Sequence, residues 1–98
     1  MRDDKFSWDD EKAALNLRKH GVSFDEARLV FTDIMQAELG EDRRGYDEQR
    51  FNTIGRSGDR LLFVTYTERG DLTHIISARP VERHERAYWI RNNPPHGF

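Results

Sequence analysis

Arginine, lysine and histidine carry most of the chemistry that this sequence can do. Lys19-His20 stand at the end of a helical stretch. Arg79, Arg83 and Arg86 follow one another at i, i+4 and i+7, with Tyr88 close by. Guanidinium forks hold phosphate at two points and aromatic rings stack bases, so the arginine–tyrosine set suits a phosphodiester. A histidine, with an unperturbed pKa of about 6.5, can pass a proton at neutral pH. Each group also has a plainer reading. A helix C-terminus favours a cation by roughly 0.3–1 kcal/mol, which accounts for Lys19 and His20. A solvated helix laced by Glu82–Arg86 at i,i+4 accounts for the arginines.

Other chemistries are excluded by what the chain lacks. The histidines stand at 20, 74, 84 and 96, with no HxxxH or HExxH spacing. Asp9-Asp10-Glu11 reads as the acidic first turn of a helix rather than a metal site. Serine-nucleophile, P-loop and dinucleotide motifs are absent, and Gly55-Arg56-Ser57-Gly58 reads as a turn between strands. With no cysteine there are no disulfides or thiolate sites. Neither a metal nor a cofactor is expected.

The elements that must position these groups follow from periodicity. The chain has 98 residues, 36% hydrophobic and 35% charged, with eleven aromatics, which suits one small domain. The expected domain runs over residues 1–90, with a mobile tail over 91–98. The net charge of −2 divides unevenly. Residues 1–50 carry 9 basic and 13 acidic side chains, whereas residues 51–98 carry 7 and 5, and all seven are arginine. No apolar run approaches the roughly 20 residues of a membrane span, and the first residues lack a signal-like apolar stretch, so a cytoplasmic protein is expected.

Phe6 and Trp8 alternate with polar residues, as in a short edge strand. Asp9 caps a helix that places Ala13, Ala14 and Leu17 at helical spacing. Gly21 closes it, with Leu17 and Val22 as the apolar pair across the corner. Ser23 with Glu26 forms a capping box for a second helix, whose stripe is Phe24, Ala27, Val30 and Phe31 and which ends near Thr32-Asp33. The period then changes to two. Residues 34–39, with Met35, Ala37 and Leu39 alternating, read as a strand, followed by a charged loop over 40–49. Strands at 50–56, 61–67 and 72–79 are joined by turns, with Pro80 breaking the pattern and a helix over 81–90. The expected fold is α+β: a small antiparallel sheet of about four strands in a meander, one face covered by two N-terminal helices and one C-terminal helix.

Taken together, "FSWDDEKAALNLRKHGVSFDEA" (6–27), Phe31 and Asp33, "RFNTIGRSGDRLLFVTYTERGD" (50–71), "IISAR" (75–79) and Glu85-Arg86 with Tyr88 resemble the BrnT family of bacterial toxins. The combination of Lys-His-Gly-Val-x-Phe with Ile-Ser-Ala-Arg carries the resemblance, over roughly residues 5–88. It implies a RelE-like fold and metal-independent RNA cleavage that inhibits translation. It also implies neutralisation by a BrnA-like ribbon-helix-helix antitoxin, with operator DNA contacted only through that antitoxin. One departure falls beside the implied site: Pro80-Val81-Glu82 replaces a Lys-Ala-Thr-like stretch, removing a basic residue and adding an acidic one.

Within that resemblance, cleavage assigns Arg79 to the phosphate and the transition-state charge, with Arg56 or Arg83 assisting. His20 or Lys19 moves the proton, with Glu68 as an alternative base. Arg83, Arg86, Tyr66 and Tyr88 hold RNA, the tyrosines by stacking. The rival is an interaction module that binds an antitoxin-like partner or RNA and cleaves nothing. Tyr88, Trp89 and Ile90 are candidates either for a partner surface or for packing on the sheet. Strand register stays open. A loop at Arg69-Gly70 sets Tyr66 opposite Thr73, and a loop at Glu68-Arg69-Gly70 sets it opposite Leu72.

Overall fold

The computed structural model describes residues 1–42 and 48–94. Its elements run in chain order as strand β1 (Phe6–Ser7), helix α1 (Asp10–His20), helix α2 (Phe24–Ala27), a 3-10 turn (Arg28–Thr32), strands β2 (Ala37–Asp42), β3 (Arg50–Ser57), β4 (Arg60–Arg69) and β5 (Leu72–Pro80), and helix α3 (Arg83–Asn92). Of the charged loop expected over 40–49, Gly40–Asp42 belong to β2, and residues 43–47 lie outside the described residues. So do residues 95–98 of the expected tail.

Local chemistry explains most of the boundaries. The Asp9 carboxylate accepts from the N–H groups of Glu11 (2.9 Å) and Lys12 (3.1 Å) and starts α1. Gly21, at φ 68°, ends it, donating its N–H to the Leu17 carbonyl at 2.8 Å. Ser23 and Glu26 exchange the two bonds of a capping box, at 3.0 and 3.2 Å. The apolar pair expected across this corner is only half made, since Val22 is fully buried but Leu17 is half exposed. The inward side of α1 is instead Ala13, Asn16 and His20, of which only Asn16 is fully buried.

The expected four-stranded antiparallel meander is corrected in two respects. The sheet has five strands in the order β1-β5-β4-β3-β2. β1 lies parallel to β5, pairing Phe6 with Thr73 and Ser7 with His74, so the sheet is mixed. β1 joins through the long connection over α1 and the intervening strands, and such a connection permits a parallel pairing that no tight turn allows. The β4–β5 loop is Gly70-Asp71, because Arg69 pairs with Leu72. Neither register considered above holds: Tyr66 lies opposite Ile75, and a bulge follows before Ser77 pairs with Thr65.

The other correction concerns the helices. α1, α2 and the 3-10 turn cover one face, where Trp8, Val22, Phe24, Ala27 and Val30 pack on Leu62, Val64, Ile75 and Ala78. α3 lies on the opposite face. Side chains alternate across a strand, and the residues that meet α3 are those of the other parity. Arg79 of β5 lies above Phe63 of β4 and bonds Glu85 of α3. Arg56 of β3 lies over the Trp89 ring of α3 at 6.0 Å. At the far end, the Tyr88 hydroxyl donates to the Glu38 carbonyl at 3.1 Å, and the Asn93 amide donates to the Met35 carbonyl at 2.8 Å. α3 therefore crosses the sheet from β5 to β2. Its ten residues reach about 15 Å, close to three strand spacings of about 4.8 Å. Ala37 and Ile54, cross-strand neighbours on the same face as Phe63, are buried on this side of the sheet. Helix α3 also runs two residues beyond the expected end.

Gly55 is not part of a turn. It sits inside β3, where a Cβ would stand 2.7 Å from Val30 Cγ1 and 3.2 Å from the Val30 carbonyl oxygen. The 3-10 turn packs on the sheet at this point because a side chain is missing there. Gly55→Ala is expected to destabilise the chain by about 1–3 kcal/mol through overpacking. Chemical denaturation checks this, and an unchanged midpoint would show that the turn yields without cost.

Candidate functional site

Arg79 is the best-anchored of the candidate groups. Its Nη1 donates to Glu85 Oε1 at 2.8 Å and to the Pro80 carbonyl at 3.2 Å, and its Nη2 donates to Glu85 Oε2 at 2.7 Å. The guanidinium carbon lies 4.3 Å from the Phe63 ring centroid, and Glu82 approaches to 3.8 Å. Glu85 also accepts the Glu82 N–H at 2.8 Å, which fixes the first turn of α3. The Glu85 bond raises the Arg79 pKa further. Two planar forks facing one another hold the guanidinium in one orientation. Nε–H and the second Nη2–H meet no acceptor among the described residues.

Glu85 is 6% exposed. Burial pushes its carboxyl upward, but the Arg79 fork and the Glu82 N–H outweigh this, so its pKa lies below the ordinary value. A depressed carboxylate stabilises the fold above its unfolded pKa of about 4.3, and that contribution is lost as pH falls through the lower, folded value. The wild-type chain is therefore expected to lose melting temperature steeply below about pH 4.3. Glu85→Gln should melt lower at neutral pH and approach the wild type in acid. Parallel melting curves for the two chains at all pH values would exclude an ionised Glu85.

Lys19 and His20 are placed by a different device. Asn16, one turn earlier on α1, donates from Nδ2 to the carbonyls of Ala78 (2.8 Å) and Val22 (3.0 Å) and accepts the Ala78 N–H at Oδ1 (3.1 Å). β1 pairs with β5 only at Thr73 and His74. Further along, this side-chain amide serves the outer edge of β5 as a neighbouring strand would. It sets the last turn of α1 beside β5. Lys12, Lys19 and His20 then line a shallow cleft of about 200 Å³ with Leu15, Asn16, Ile76 and Ser77. Asn16 went unremarked in the sequence, where a polar residue at a helix position facing the sheet was the available signal.

The remaining candidates divide. Arg56 shares the α3 face with Arg79. Its backbone N–H donates to Asp33 Oδ2 at 2.7 Å and its Nε lies 3.8 Å from the same oxygen. Arg56 and Arg79 are two strands apart, so Phe63 and Leu61 of β4 lie between them. Arg83 and Arg86 are exposed on α3, and neither makes an ion pair among the described residues. Glu82 meets Arg79 and His84 rather than Arg86, so the expected i,i+4 pair is not formed. Tyr88 is half-buried against β2.

Tyr66 is 7% exposed and lies on the face of the N-terminal helices. Its ring meets Phe31 edge-on at 5.0 Å, and its hydroxyl donates to Glu38 at 3.0 Å. Burial, then the Glu38 contact, pushes its pKa well above the ordinary value. Such a ring has no free face for a base. Glu68 lies on that same side of the sheet, five residues along β4 from Phe63, the cross-strand neighbour of Arg79. The structure does not bring Tyr66 or Glu68 to Arg79.

Trp89 is half-buried on α3, and its indole Nε1–H is buried without an acceptor among the described residues. Ile90 is half exposed. No group of three His, Asp or Glu side chains among the described residues is arranged to hold a metal ion. No described helix is long and apolar enough to cross a membrane.

A family model for the ribonuclease toxin BrnT of type II toxin–antitoxin systems matches residues 8–85. The chain belongs to this family. The match takes in α1, the whole β2–β5 meander, Arg79 and Glu85, and it ends before Tyr88 and Trp89. No curated protein matches the chain.

Proposed function

We propose that this ribonuclease toxin cleaves RNA without a metal ion, inhibits translation, and is neutralised by a ribbon-helix-helix antitoxin. The observation that carries the reading is the grouping of Lys12, Lys19 and His20 in one cleft against the β5 edge, at Ile76 and Ser77, two residues before Arg79. Cations near a scissile phosphate stabilise the charge that builds on it, usually the largest single catalytic term. A positioned acid or base adds roughly 10²–10⁴-fold. In this reading the free N–H groups of Arg79 take the phosphate, and His20 or Lys19 moves the 2′-hydroxyl proton. Arg83 and Arg86 hold the strand beyond α3, and Arg56 supports that helix from below.

A second reading has one observation in its favour. Glu85 fills the Arg79 fork, and Asp33 with Trp89 engages Arg56, so both arginines have structural employment. In that case the chain binds an antitoxin-like partner or RNA without cutting it. Incubating purified chain with RNA in the presence of a chelator separates the two. Product ends carrying 2′,3′-cyclic phosphate support the nuclease mechanism. Plain 3′-hydroxyl ends, or loss of cleavage with chelator, sink it. Growth arrest on expression alone, relieved by a co-expressed ribbon-helix-helix protein, tests the toxin–antitoxin half.

A further inference from the structure

Helix α3 covers the face of the sheet that it crosses at the end near the β3–β4 turn. Towards the β4–β5 hairpin, Thr67 on this face is buried and donates its hydroxyl to the Gln49 carbonyl at 2.6 Å, and its cross-strand neighbour His74 is half-buried. There the Ser7 hydroxyl and His74 Nδ1 lie 2.8 Å apart across the parallel β1–β5 pair. Both line a cleft of about 300 Å³ with Arg2, Arg69, Leu72 and Met1. We propose that this cleft is a second phosphate-binding site for the RNA strand, in which Arg2, Arg69 and His74 hold a backbone phosphate and His74 takes up a proton as the phosphate seats. The proposal rests on the nuclease reading for the identity of the ligand, but its geometry is independent of the Lys19–His20 cleft.

Three features of the cleft point to an anion. Arg2 is exposed, and its guanidinium makes no ion pair among the described residues. Arg69 gives Nε–H and one Nη2–H to Glu48, at 2.9 and 2.8 Å, which fixes its guanidinium while leaving the charge of Arg2 without a carboxylate among the described residues. The third is the imidazole. With Nδ1 on Ser7, Nε2 is left for a ligand. A hydroxyl both donates and accepts, so Ser7 Oγ can accept from an Nδ1–H that the neutral and the charged ring both carry. In that tautomer the added proton goes to Nε2, which leaves the Nδ1 bond unchanged and gives the ligand a donor.

The surroundings set the resting state. Burial, then the Arg69 charge, pushes the His74 pKa down; Lys12 acts in the same direction, while Glu48 and Asp9 act against it. These surroundings favour the neutral ring in the free protein. A phosphate arriving between Arg2 and Arg69 offsets the cationic field and favours the imidazolium. His74 and Arg79 share one face of β5 and stand roughly 15 Å apart along the strand. That spacing holds a different phosphate of the same strand from the one assigned to Arg79.

The test is an NMR titration of the His74 ring in the full chain, with Ser7→Ala and Arg2→Ala variants alongside. The probes are inorganic phosphate and a 2′-O-methyl RNA oligonucleotide, which lacks the attacking hydroxyl. Saturating oligonucleotide is expected to raise the His74 pKa by about one unit, a tenfold change in proton affinity. Arg2→Ala should weaken oligonucleotide binding several-fold, and Ser7→Ala should reduce the pKa rise. If phosphate shifts His74 and the oligonucleotide does not, the cleft takes free anions and the RNA assignment falls. If neither probe shifts it, or Arg2→Ala binds as the parent does, the site is overturned. RNA cleavage with a silent His74 overturns this site alone, whereas a responsive His74 in a chain that cuts nothing leaves the site standing and sinks the nuclease reading.

Discussion

Arg79→Lys is expected to leave the chain folded and to lower RNA cleavage by about 100-fold or more, the usual loss when one preorganised donor to a developing charge is removed. Lysine keeps the positive charge beside Glu85, so the half-buried pair is not broken. It cannot, however, keep two bonds to the Glu85 carboxylate and still present N–H groups to a phosphate, because an ammonium has no planar fork. Arg79→Ala is the less clean change. It leaves Glu85 buried without its cation and uncovers the Phe63 ring, so loss of activity can follow from loss of fold. Single-turnover cleavage by Arg79→Lys, with the melting temperature measured beside it, separates the two effects. Cleavage within a few-fold of wild type in that variant would remove Arg79 from the reaction and leave it as the anchor of α3.

The largest stability effect is expected at Asn16. Asn16→Ala removes one amide that serves three backbone groups: the Ala78 N–H, the Ala78 carbonyl and the Val22 carbonyl. Each buried polar group left without a partner costs about 1–3 kcal/mol, and water entering at the sheet edge recovers part of this. A net loss of about 3 kcal/mol corresponds to a fall of roughly 12–24 °C in melting temperature for a domain of this size. Asn16→Asp should be no better at neutral pH, because a carboxylate accepts the Ala78 N–H but faces two carbonyl oxygens with no donor. A loss below 1 kcal/mol in Asn16→Ala would mean that α1 is held by its apolar contacts alone. The same change should loosen the Lys19–His20 cleft, since the clasp is what sets α1 against β5.

Much of the local structure was legible because short-range chemistry determines it. Asp9, Gly21 and the Ser23–Glu26 box mark the corners of α1 and α2 through groups no more than four residues apart. Gly58 and Gly70 mark the β3–β4 and β4–β5 hairpins through their positive φ angles. The candidate cations were legible by type, since arginine, lysine and histidine are the groups that meet a phosphate.

What these groups face was not legible, because each answer depends on residues distant in sequence. The bulge at Ile76 and the Gly70-Asp71 loop decided that Tyr66 points into the core and Arg79 away from it, for a one-residue change of register exchanges the faces. The parallel pairing of β1 brought Ser7 to His74 across 67 residues. Gly55 looked like part of a turn until the approach of Val30 gave it a packing role. The direction of α3 depended on which face the N-terminal helices had left uncovered. The sequence by itself determined the helix corners, the hairpins, the set of cations and the resemblance to a toxin family. The tertiary structure alone decided that Arg79 is clasped by Glu85, that Lys19 and His20 meet the β5 edge through Asn16, and that a separate cationic cleft lies open at the far end of the sheet. Such pairings are settled by the packing of whole faces, which no local signal encodes.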